Sequence, residues 1–246
     1  MRKLIRGLLD FQLNARSKHR EKFALLAQGQ KPDCLFIACA DSRVVPNLLV
    51  STDPGDLFVV RNVGNMMPPS DAKGLSTGDQ SEAAALEFSL RHLLVEDIVV
   101  CGHSSCGAMH AVLGGGECPD HPNLCAWLEH GKPALQRMKD HPELGAGLPD
   151  HDRLSMNNVL VQMEHVASYP CVKERLVAGT LRLHGWWFDI GTAQVHAWRA
   201  NQGRFIPMDE LVGEALLREL GSDCVAPEVL PNGNGAPHLS VAASNS

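Results

Sequence analysis

Three short apolar runs stand out in the first half of the chain, at residues 34–40, 57–61 and 98–101. Each run is continuous rather than alternating with polar residues, which is typical of strands buried on both faces of a parallel sheet. Residues 66–80 contain two Pro and two Gly and are predicted to form a loop. The first half of the chain therefore supplies the central strands of a sheet.

The rest of the chain combines amphipathic helical patterns with two further strand patterns. The helical period predicts helices over residues 108–113, 153–166, 171–177 and 208–220, with others ending at Leu94 and lying near Trp127. Residues 180–190 and 193–198 are predicted to form the two strands of a hairpin about Gly191. Because strands and helices follow one another along the chain, the pattern predicts an α/β fold.

These elements predict a single α/β domain over residues 1–220, with a central, mostly parallel β-sheet flanked by helices. Within this domain, residues 1–30 are predicted to form an N-terminal helical arm, because their apolar positions repeat at helical spacing. The chain is long enough to bury one substantial core. Residues 221–246 are rich in Pro, Gly, Asn, Ser and Ala, so we expect a mobile C-terminal tail.

Charge and hydropathy narrow the functional classes. The formal net charge is −6 and the basic residues form no stripe, so neither nucleic acid nor an anionic membrane is expected as a partner. No stretch approaches the roughly 20 apolar residues that a membrane span requires. The first residues lack the continuous apolar core of a secretory signal. The sequence therefore predicts a cytoplasmic protein that acts on a small molecule.

Two clusters of reactive side chains follow predicted strands. Cys39 precedes Asp41 and Arg43 at the end of the first run, and His103 precedes Cys106 after the third. The carboxyl ends of parallel strands share one edge of a sheet, so we expect the clusters to meet. Two thiolates and an imidazole suit tetrahedral Zn²⁺ and leave a fourth position open. The alternative is three packed side chains without a metal, since Cys is often buried.

The motifs CADSR and GHSSCG, together with GDLFVVRNVGNMMPP between them, resemble those of the β-class carbonic anhydrases. The similarity is greatest to bacterial and cyanobacterial members and covers roughly residues 1–205. This resemblance implies a zinc-dependent enzyme that reversibly hydrates carbon dioxide to bicarbonate and a proton. It therefore implies a carbonate dehydratase, which is a lyase.

The resemblance also implies roles for single residues. Cys39, His103 and Cys106 would bind Zn²⁺, and Asp41 and Arg43 would form a catalytic dyad that orients the zinc-bound hydroxide. A carboxylate beside the reacting water can accept a hydrogen bond from it. An arginine that pairs with both carboxylate oxygens can hold that carboxylate away from the metal.

Five more positions match the family's substrate pocket. Gln30 corresponds to a glutamine that donates a hydrogen bond to substrate, while Phe58, Val63 and Gly107 correspond to a small apolar surface for carbon dioxide. Phe88 stands where the family commonly has Tyr, so a hydroxyl contact to substrate is missing. Without the resemblance, the two larger apolar residues would be interpreted as core. A homodimer or a dimer of dimers is implied, because the family's pocket forms at a subunit interface.

Other interpretations of the sequence stay open. The same zinc site could hydrolyse carbonyl sulfide or carbon disulfide, because access to the pocket rather than the ligand set decides the substrate. A non-catalytic metal-binding scaffold of the same fold is a second alternative. A thiol redox protein using Cys101 and Cys106 is a third, although their spacing is not C-x-x-C. Cys118, His121 and Cys125 could form part of a second metal site, but no fourth ligand is evident.

Overall fold

A computed structural model describes residues 1–115 and 120–219, and these residues form a six-stranded sheet. The strands are β1 (Cys34–Cys39), β2 (Leu57–Asn62), β3 (Asp97–His103), β4 (Arg182–Asp189), β5 (Gln194–Arg199) and β6 (Arg204–Pro207). Their spatial order is β2-β1-β3-β4-β5-β6. The first four strands are mutually parallel, and β5 and β6 join antiparallel. The predicted α/β fold with a mostly parallel sheet is confirmed.

Helices connect and flank the strands. They are α1 (Arg2–Asp10), α2 (Arg16–Leu26), α3 (Pro46–Leu49), α4 (Ser81–Arg91), α5 (Gly107–Leu113), α6 (Pro122–Leu128), α7 (Pro133–Asp140), α8 (Asp150–Ser168), α9 (Pro170–Val177) and α10 (Glu210–Glu219). Helices α3, α6, α7 and α9 each have Pro in the first turn. Proline is well tolerated there because the first backbone N–H groups of a helix have no partner within the helix.

Strands β1 and β3 lie inside the sheet and are buried along almost their whole length. This burial explains why their sequences are continuously apolar rather than alternating. Parallel pairing places Cys39 at the end of β1 opposite Asn62 at the end of β2. His103 ends the neighbouring strand β3. The sheet therefore brings the carboxyl ends of its central strands to one edge.

Helix α8 is the principal cover on β3 and β4. Its close approach depends on glycine in both strands. A Cβ atom on Gly102 would lie 2.7 Å from Cγ2 of Val159, and one on Gly185 would lie 2.5 Å from Sδ of Met163. Both distances are shorter than a Cβ atom can approach, so a larger residue at either position would force these α8 side chains, or the helix itself, to shift.

Some elements differ from the sequence prediction. Helix α8 begins at Asp150 rather than at residue 153, with acidic residues in its first turn, where the helix dipole favours negative charge. Helix α7 and strand β6 were not predicted. β6 has only four residues and pairs with β5, where the Trp198 and Phe205 rings lie 5.4 Å apart. A strand this short forms because it pairs with its neighbour, and its sequence alone gives little indication of a strand.

The described residues divide into two compact units, residues 1–30 and a larger unit that begins at Lys31. The first unit is helical, which confirms the predicted N-terminal arm. Its helix α1 exposes the apolar side chains Leu4, Ile5, Leu8 and Leu9. Within the described ranges, no helix combines the length and apolarity needed to cross a bilayer. The tail predicted at residues 221–246 lies outside the described residues.

Candidate metal centre

Three potential metal ligands meet at the carboxyl edge of the sheet. Cys39 ends β1, His103 ends the adjacent strand β3, and Cys106 immediately precedes α5. Their ligand atoms all lie within 4.8 Å of one another, and the three side chains are buried. The strand pairing thus joins residues that are more than sixty positions apart in the sequence. It does so because β1 and β3 are direct neighbours.

The His103 ring is oriented for metal binding. Its Nδ1 donates a hydrogen bond to the carbonyl of Ser104 at 2.9 Å, which leaves Nε2 as the free lone-pair nitrogen. That Nε2 is buried and has no hydrogen-bond partner among the described residues. A buried polar atom without a partner is costly, and a metal ion would supply one. The ring therefore fits a divalent ion bound through Nε2.

The two thiols share a site that stabilises one thiolate. A hydrogen bond from Cys106 lowers the pKa of Cys39 to about 4, and the same pairing raises the pKa of Cys106. Backbone N–H groups point at both sulfurs: Gly64 donates to Cys39 Sγ at 3.4 Å, and Ala108 and Met109 donate to Cys106. Thiolates are the form that binds metal, so these donors favour the ligand state.

Beside the ligand group, Asp41 and Arg43 form a bidentate ion pair. Arg43 Nε donates to Asp41 Oδ1 at 2.9 Å and Nη2 donates to Oδ2 at 2.7 Å. Hydrogen bonds from Arg43 hold the pKa of the Asp41 carboxyl well below its usual range. Asp41 Oδ2 lies 3.9 Å from His103 Nε2, so an ionised carboxylate stands next to the ligand group.

The turn that carries the ligands is held from two sides. Ser105 has a φ of +52°, a left-handed conformation that is strained for a residue with a side chain. Its carbonyl accepts a hydrogen bond from Arg43 Nη2 at 3.0 Å, and its N–H donates to Asp152 Oδ1 at 2.6 Å. Ser155 Oγ donates to the His103 carbonyl at 2.8 Å. The two α8 residues, Asp152 and Ser155, were not singled out from the sequence.

Two of the predicted substrate residues lie together but away from the ligands of the same chain. The Phe58 and Phe88 rings are 5.8 Å apart, and Phe58 packs against the core cluster that contains Leu35. Cys39 belongs to a different cluster. Phe58 pairs with Leu35, four residues before Cys39, so it lies roughly 13 Å back along the sheet at about 3.3 Å per residue.

The other predicted substrate residues have varied surroundings. Val63 is 44% exposed, and its carbonyl accepts a hydrogen bond from Trp127 Nε1 at 2.7 Å. Gly107 starts α5 directly after Cys106, and a Cβ there would have no described atom within 4 Å beyond its chain neighbours and the backbone of its own helix. Gln30 is the last residue of the N-terminal unit, whereas the ligands belong to the larger unit.

The remaining cysteines offer little support for other chemistry. Complete burial raises the pKa of Cys101 to about 12, so this thiol is a poor nucleophile for redox exchange. Cys118, from the possible second metal site, lies outside the described residues, and Cys125 is half-buried. Across residues 1–115 and 120–219, the one group of His, Cys, Asp or Glu with metal-binding geometry is the Cys-His-Cys group.

This fold and this donor set define an α/β protein whose Cys-His-Cys group can hold a metal ion at the carboxyl edge of a parallel sheet. Comparison with known proteins is consistent with that class. A family model for carbonic anhydrase matches residues 34–195. The chain is 39% identical over 212 residues to a carbonic anhydrase of Pseudomonas aeruginosa, which covers 85% of this chain and 93% of the relative.

A carbonic anhydrase of Synechococcus elongatus is 38% identical over 199 residues, covering 79% of this chain and 70% of the relative. The solved structure of the β-carbonic anhydrase CcaA superposes with a TM-score of 0.78 at 36% identity, covering 85% and 92% of the two chains. A tetrameric β-carbonic anhydrase of Sordaria macrospora gives 0.65 at 29% identity, covering 80% and 97%. The chain therefore belongs to the β-class carbonic anhydrase family. Its activity is that of a carbonate dehydratase, a lyase.

Proposed function

We propose that this carbonic anhydrase uses Zn²⁺, held by Cys39, His103 and Cys106, to interconvert carbon dioxide and bicarbonate. The observation that carries the proposal is the buried Nε2 of His103, which has no hydrogen-bond partner among the described residues and belongs to a group of three ligand atoms within 4.8 Å. Two thiolates and one imidazole neutralise Zn²⁺ and leave one position of its tetrahedron for the reaction.

Asp41 and Arg43 would do the remaining chemistry. When bound, Zn²⁺ would act as a Lewis acid that makes a water molecule in the open position more acidic. Asp41 would accept a hydrogen bond from that water and orient it toward carbon dioxide. Because Arg43 donates to both oxygens of Asp41, the carboxylate would not occupy the open position itself. The lowered pKa of Asp41 keeps it ionised, as this role requires at neutral pH.

The pocket for carbon dioxide would be completed by a second copy of the chain, in a homodimer or a dimer of dimers. Val63 and Gly107 would line the near side of the pocket, since each lies in a segment that contacts the ligand group. Phe58 lies roughly 13 Å back along the sheet from Cys39 at about 3.3 Å per residue, and Phe88 on α4 contacts the Phe58 ring. They would therefore line the pocket of the partner subunit. The tetrameric Sordaria macrospora relative supports such an assembly.

Gln30 would donate a hydrogen bond to the substrate in the assembled pocket. We place the enzyme in the cytoplasm, where a reducing environment preserves thiol ligands. Cys39, Cys101 and Cys106 form no disulfide in the described structure, which fits that compartment.

One experiment tests the zinc proposal directly. Stopped-flow measurement of carbon dioxide hydration, beside zinc content per chain, would be made on the wild type, on Cys106→Ala and on Cys101→Ala. Cys101 is a matched control because it is also a buried cysteine of the same region but is absent from the ligand group. We expect Cys106→Ala to lose both zinc and hydration, and Cys101→Ala to retain both. Full activity of the wild type after complete chelation would overturn the proposal.

The same samples separate the alternatives. Hydrolysis of carbonyl sulfide or carbon disulfide would release hydrogen sulfide, which a sulfide electrode measures, and we expect none at rates comparable to hydration. A non-catalytic scaffold would bind zinc stoichiometrically yet show no hydration. Sedimentation of the same protein gives the mass of the assembly, and an active monomer would contradict the proposed role of the partner subunit.

A further inference from the structure

One face of helix α8 carries polar side chains that are buried under the metal centre. Asp152, Ser155, Asn158 and Gln162 are spaced three or four residues apart, which places them on one side of a helix. All four are buried. Asp152 and Ser155 contact the turn between His103 and Cys106, as described above. Asn158 and Gln162 contact a different segment, the one that follows β2.

Asn158 is anchored at both ends of its amide. Its Nδ2 donates to the carbonyl of Gly64 at 3.0 Å, and its Oδ1 accepts a hydrogen bond from Gln162 Nε2 at 2.9 Å. Gln162 in turn accepts a hydrogen bond from the N–H of Met67 at 2.7 Å through Oε1. The exposure of both amide side chains is 0%. The Asn158 amide therefore has a fixed orientation and a fixed donor direction.

Gly64 connects this network to a metal ligand. Its N–H donates to Cys39 Sγ at 3.4 Å. Its φ of +81° lies in the left-handed region, and a Cβ at this position would lie 2.9 Å from the Cβ of Ala108. A glycine in this conformation has access to several alternative backbone orientations. A hydrogen bond to its carbonyl therefore helps to select the one in which the N–H points at sulfur.

We propose that Asn158 is a positioning residue for the metal centre: by holding the Gly64 carbonyl, it aims the Gly64 N–H at the Cys39 thiolate. A hydrogen bond to a ligating sulfur withdraws electron density from it, so the bound metal becomes a stronger Lewis acid. Outer contacts of this kind orient metal ligands and tune the metal that they hold. The proposal rests on the proposed metal site.

Asn157 supplies a matched control. It is the same residue type, its exposure is also 0%, and it is the adjacent position of α8. Its Nδ2 donates to the carbonyl of Arg153 in its own helix. Within the described part of the chain, its side chain makes no hydrogen bond to the ligand segments. Replacing either asparagine removes one buried amide from α8, but only the Asn158 amide contacts Gly64.

The test is the absorption spectrum of Co²⁺-substituted protein, which contains sulfur-to-metal charge-transfer bands when thiolates bind the ion. We expect Asn158→Ala, and the similarly shaped Asn158→Leu, to move these bands to lower energy, because sulfur without its hydrogen bond gives up electrons more easily. Metal affinity, from competition with a chromogenic chelator, should fall about 10–100-fold in both variants. Asn157→Ala should keep the wild-type spectrum and affinity.

Two results would overturn the inference. Wild-type band positions in both folded Asn158 variants would show that the amide does not act on Cys39. An equal shift in Asn157→Ala would show that any loosening of α8 has the same effect. A wild-type protein without any thiolate charge-transfer band would instead contradict the proposed metal site. The Leu variant keeps the volume of the side chain, so the comparison does not depend on the folding of the Ala variant.

Discussion

Arg43 makes three side-chain hydrogen bonds that together define the geometry beside the ligand group. Two go to the carboxylate of Asp41, and the third goes to the carbonyl of Ser105, in the turn between His103 and Cys106. The guanidinium therefore fixes a carboxylate and a ligand-bearing turn at once. A planar donor group of this shape pairs with both oxygens of a carboxylate, which a lysine ammonium cannot do.

Replacing Arg43 tests the proposed dyad. In Arg43→Ala we expect zinc content near one per chain, because the three ligands are untouched, but a fall in hydration rate on the order of 100-fold or more. The reason is that an unpaired Asp41 is free to enter the open position. Arg43→Lys should recover only part of the rate. Atomic emission and stopped-flow hydration measure both quantities.

Arg204→Ala is the control for that experiment, since Arg204 is exposed on β6 and its Nε donates to Gln202. It should behave as wild type. Full hydration activity in Arg43→Ala would remove the proposed role of the pair.

The residues closest to the proposed chemistry were predictable from the sequence, and those that support them were not. Cys39, His103 and Cys106 carry distinctive side chains at the ends of apolar runs, and the structure brings them together as expected. Asp152 and Asn158 are ordinary polar residues in a predicted helix or next to it. A signal did exist, because polar residues recur at three- and four-residue spacing along this helix. The hydrogen-bond partner of each residue depends on how α8 packs against the sheet, which the sequence alone does not show.

At the scale of elements, the metal centre depends on how closely α8 approaches the sheet. Hydrogen bonds from α8 to the ligand segments span only a few ångströms, so the helix must stay in contact with β3. Gly102 makes that contact possible, since a Cβ there would lie 2.7 Å from Val159 Cγ2 and 3.1 Å from Ser155 Oγ. The packing of one strand residue thereby controls the position of Ser155, which donates to the His103 carbonyl.

Gly102→Ala should lower the free energy of unfolding by about 1–3 kcal/mol, because the added methyl group overpacks the interface. Val159→Ala should also destabilise the protein, in this case by leaving a cavity. In the double variant the new methyl group occupies part of the space that Val159 leaves. We therefore expect a combined loss smaller than the sum of the single losses, measured from urea unfolding curves.

Gly213→Ala provides the comparison, since a Cβ on Gly213 in α10 would have no described atom within 4 Å beyond its chain neighbours and the backbone of its own helix. In a helix this change should be neutral or slightly stabilising. Strictly additive losses in the double variant would mean that Gly102 and Val159 do not compete for the same space.

The elements themselves were predictable to different degrees, for a physical reason. β1 and β3 are buried on both faces, so their sequences alone identify them. β6 and α7 are short, and they form because neighbouring elements offer a surface. The start of α8 was misplaced by three residues because acidic side chains such as Asp150 and Asp152 are equally compatible with a loop. Their preference for a helix N-terminus becomes clear only once the helix is known.

For the molecule as a whole, the two ends of the parallel strands differ in their chemistry. The carboxyl edge of the sheet holds the candidate metal centre, whereas ion pairs join β3 and β4 at the amino edge. Asp97 begins β3 and pairs in register with Arg182, which begins β4. Arg182 Nε donates to Asp97 Oδ1 at 2.7 Å and Nη2 donates to Oδ2 at 2.6 Å, while His184 Nε2 lies 2.8 Å from Oδ1.

This amino-edge cluster predicts how stability depends on pH. Burial alone would raise the pKa of Asp97, but hydrogen bonds from Arg182 and His184 outweigh it and bring the pKa to about 2. The unfolded value is near 4, so the stabilisation is present above that pH and is lost as pH falls toward 2.

Solvent screens this partly exposed group, so Asp97→Asn should cost about 1 kcal/mol at pH 7. Its deficit should shrink between pH 5 and 3 in urea titrations. Glu96→Gln removes only the longer, exposed contact of 3.8 Å between Glu96 Oε2 and Arg182 Nη2, so it should show a smaller deficit than Asp97→Asn. A deficit that stays constant with pH would show that the charge of Asp97 is not what stabilises this edge.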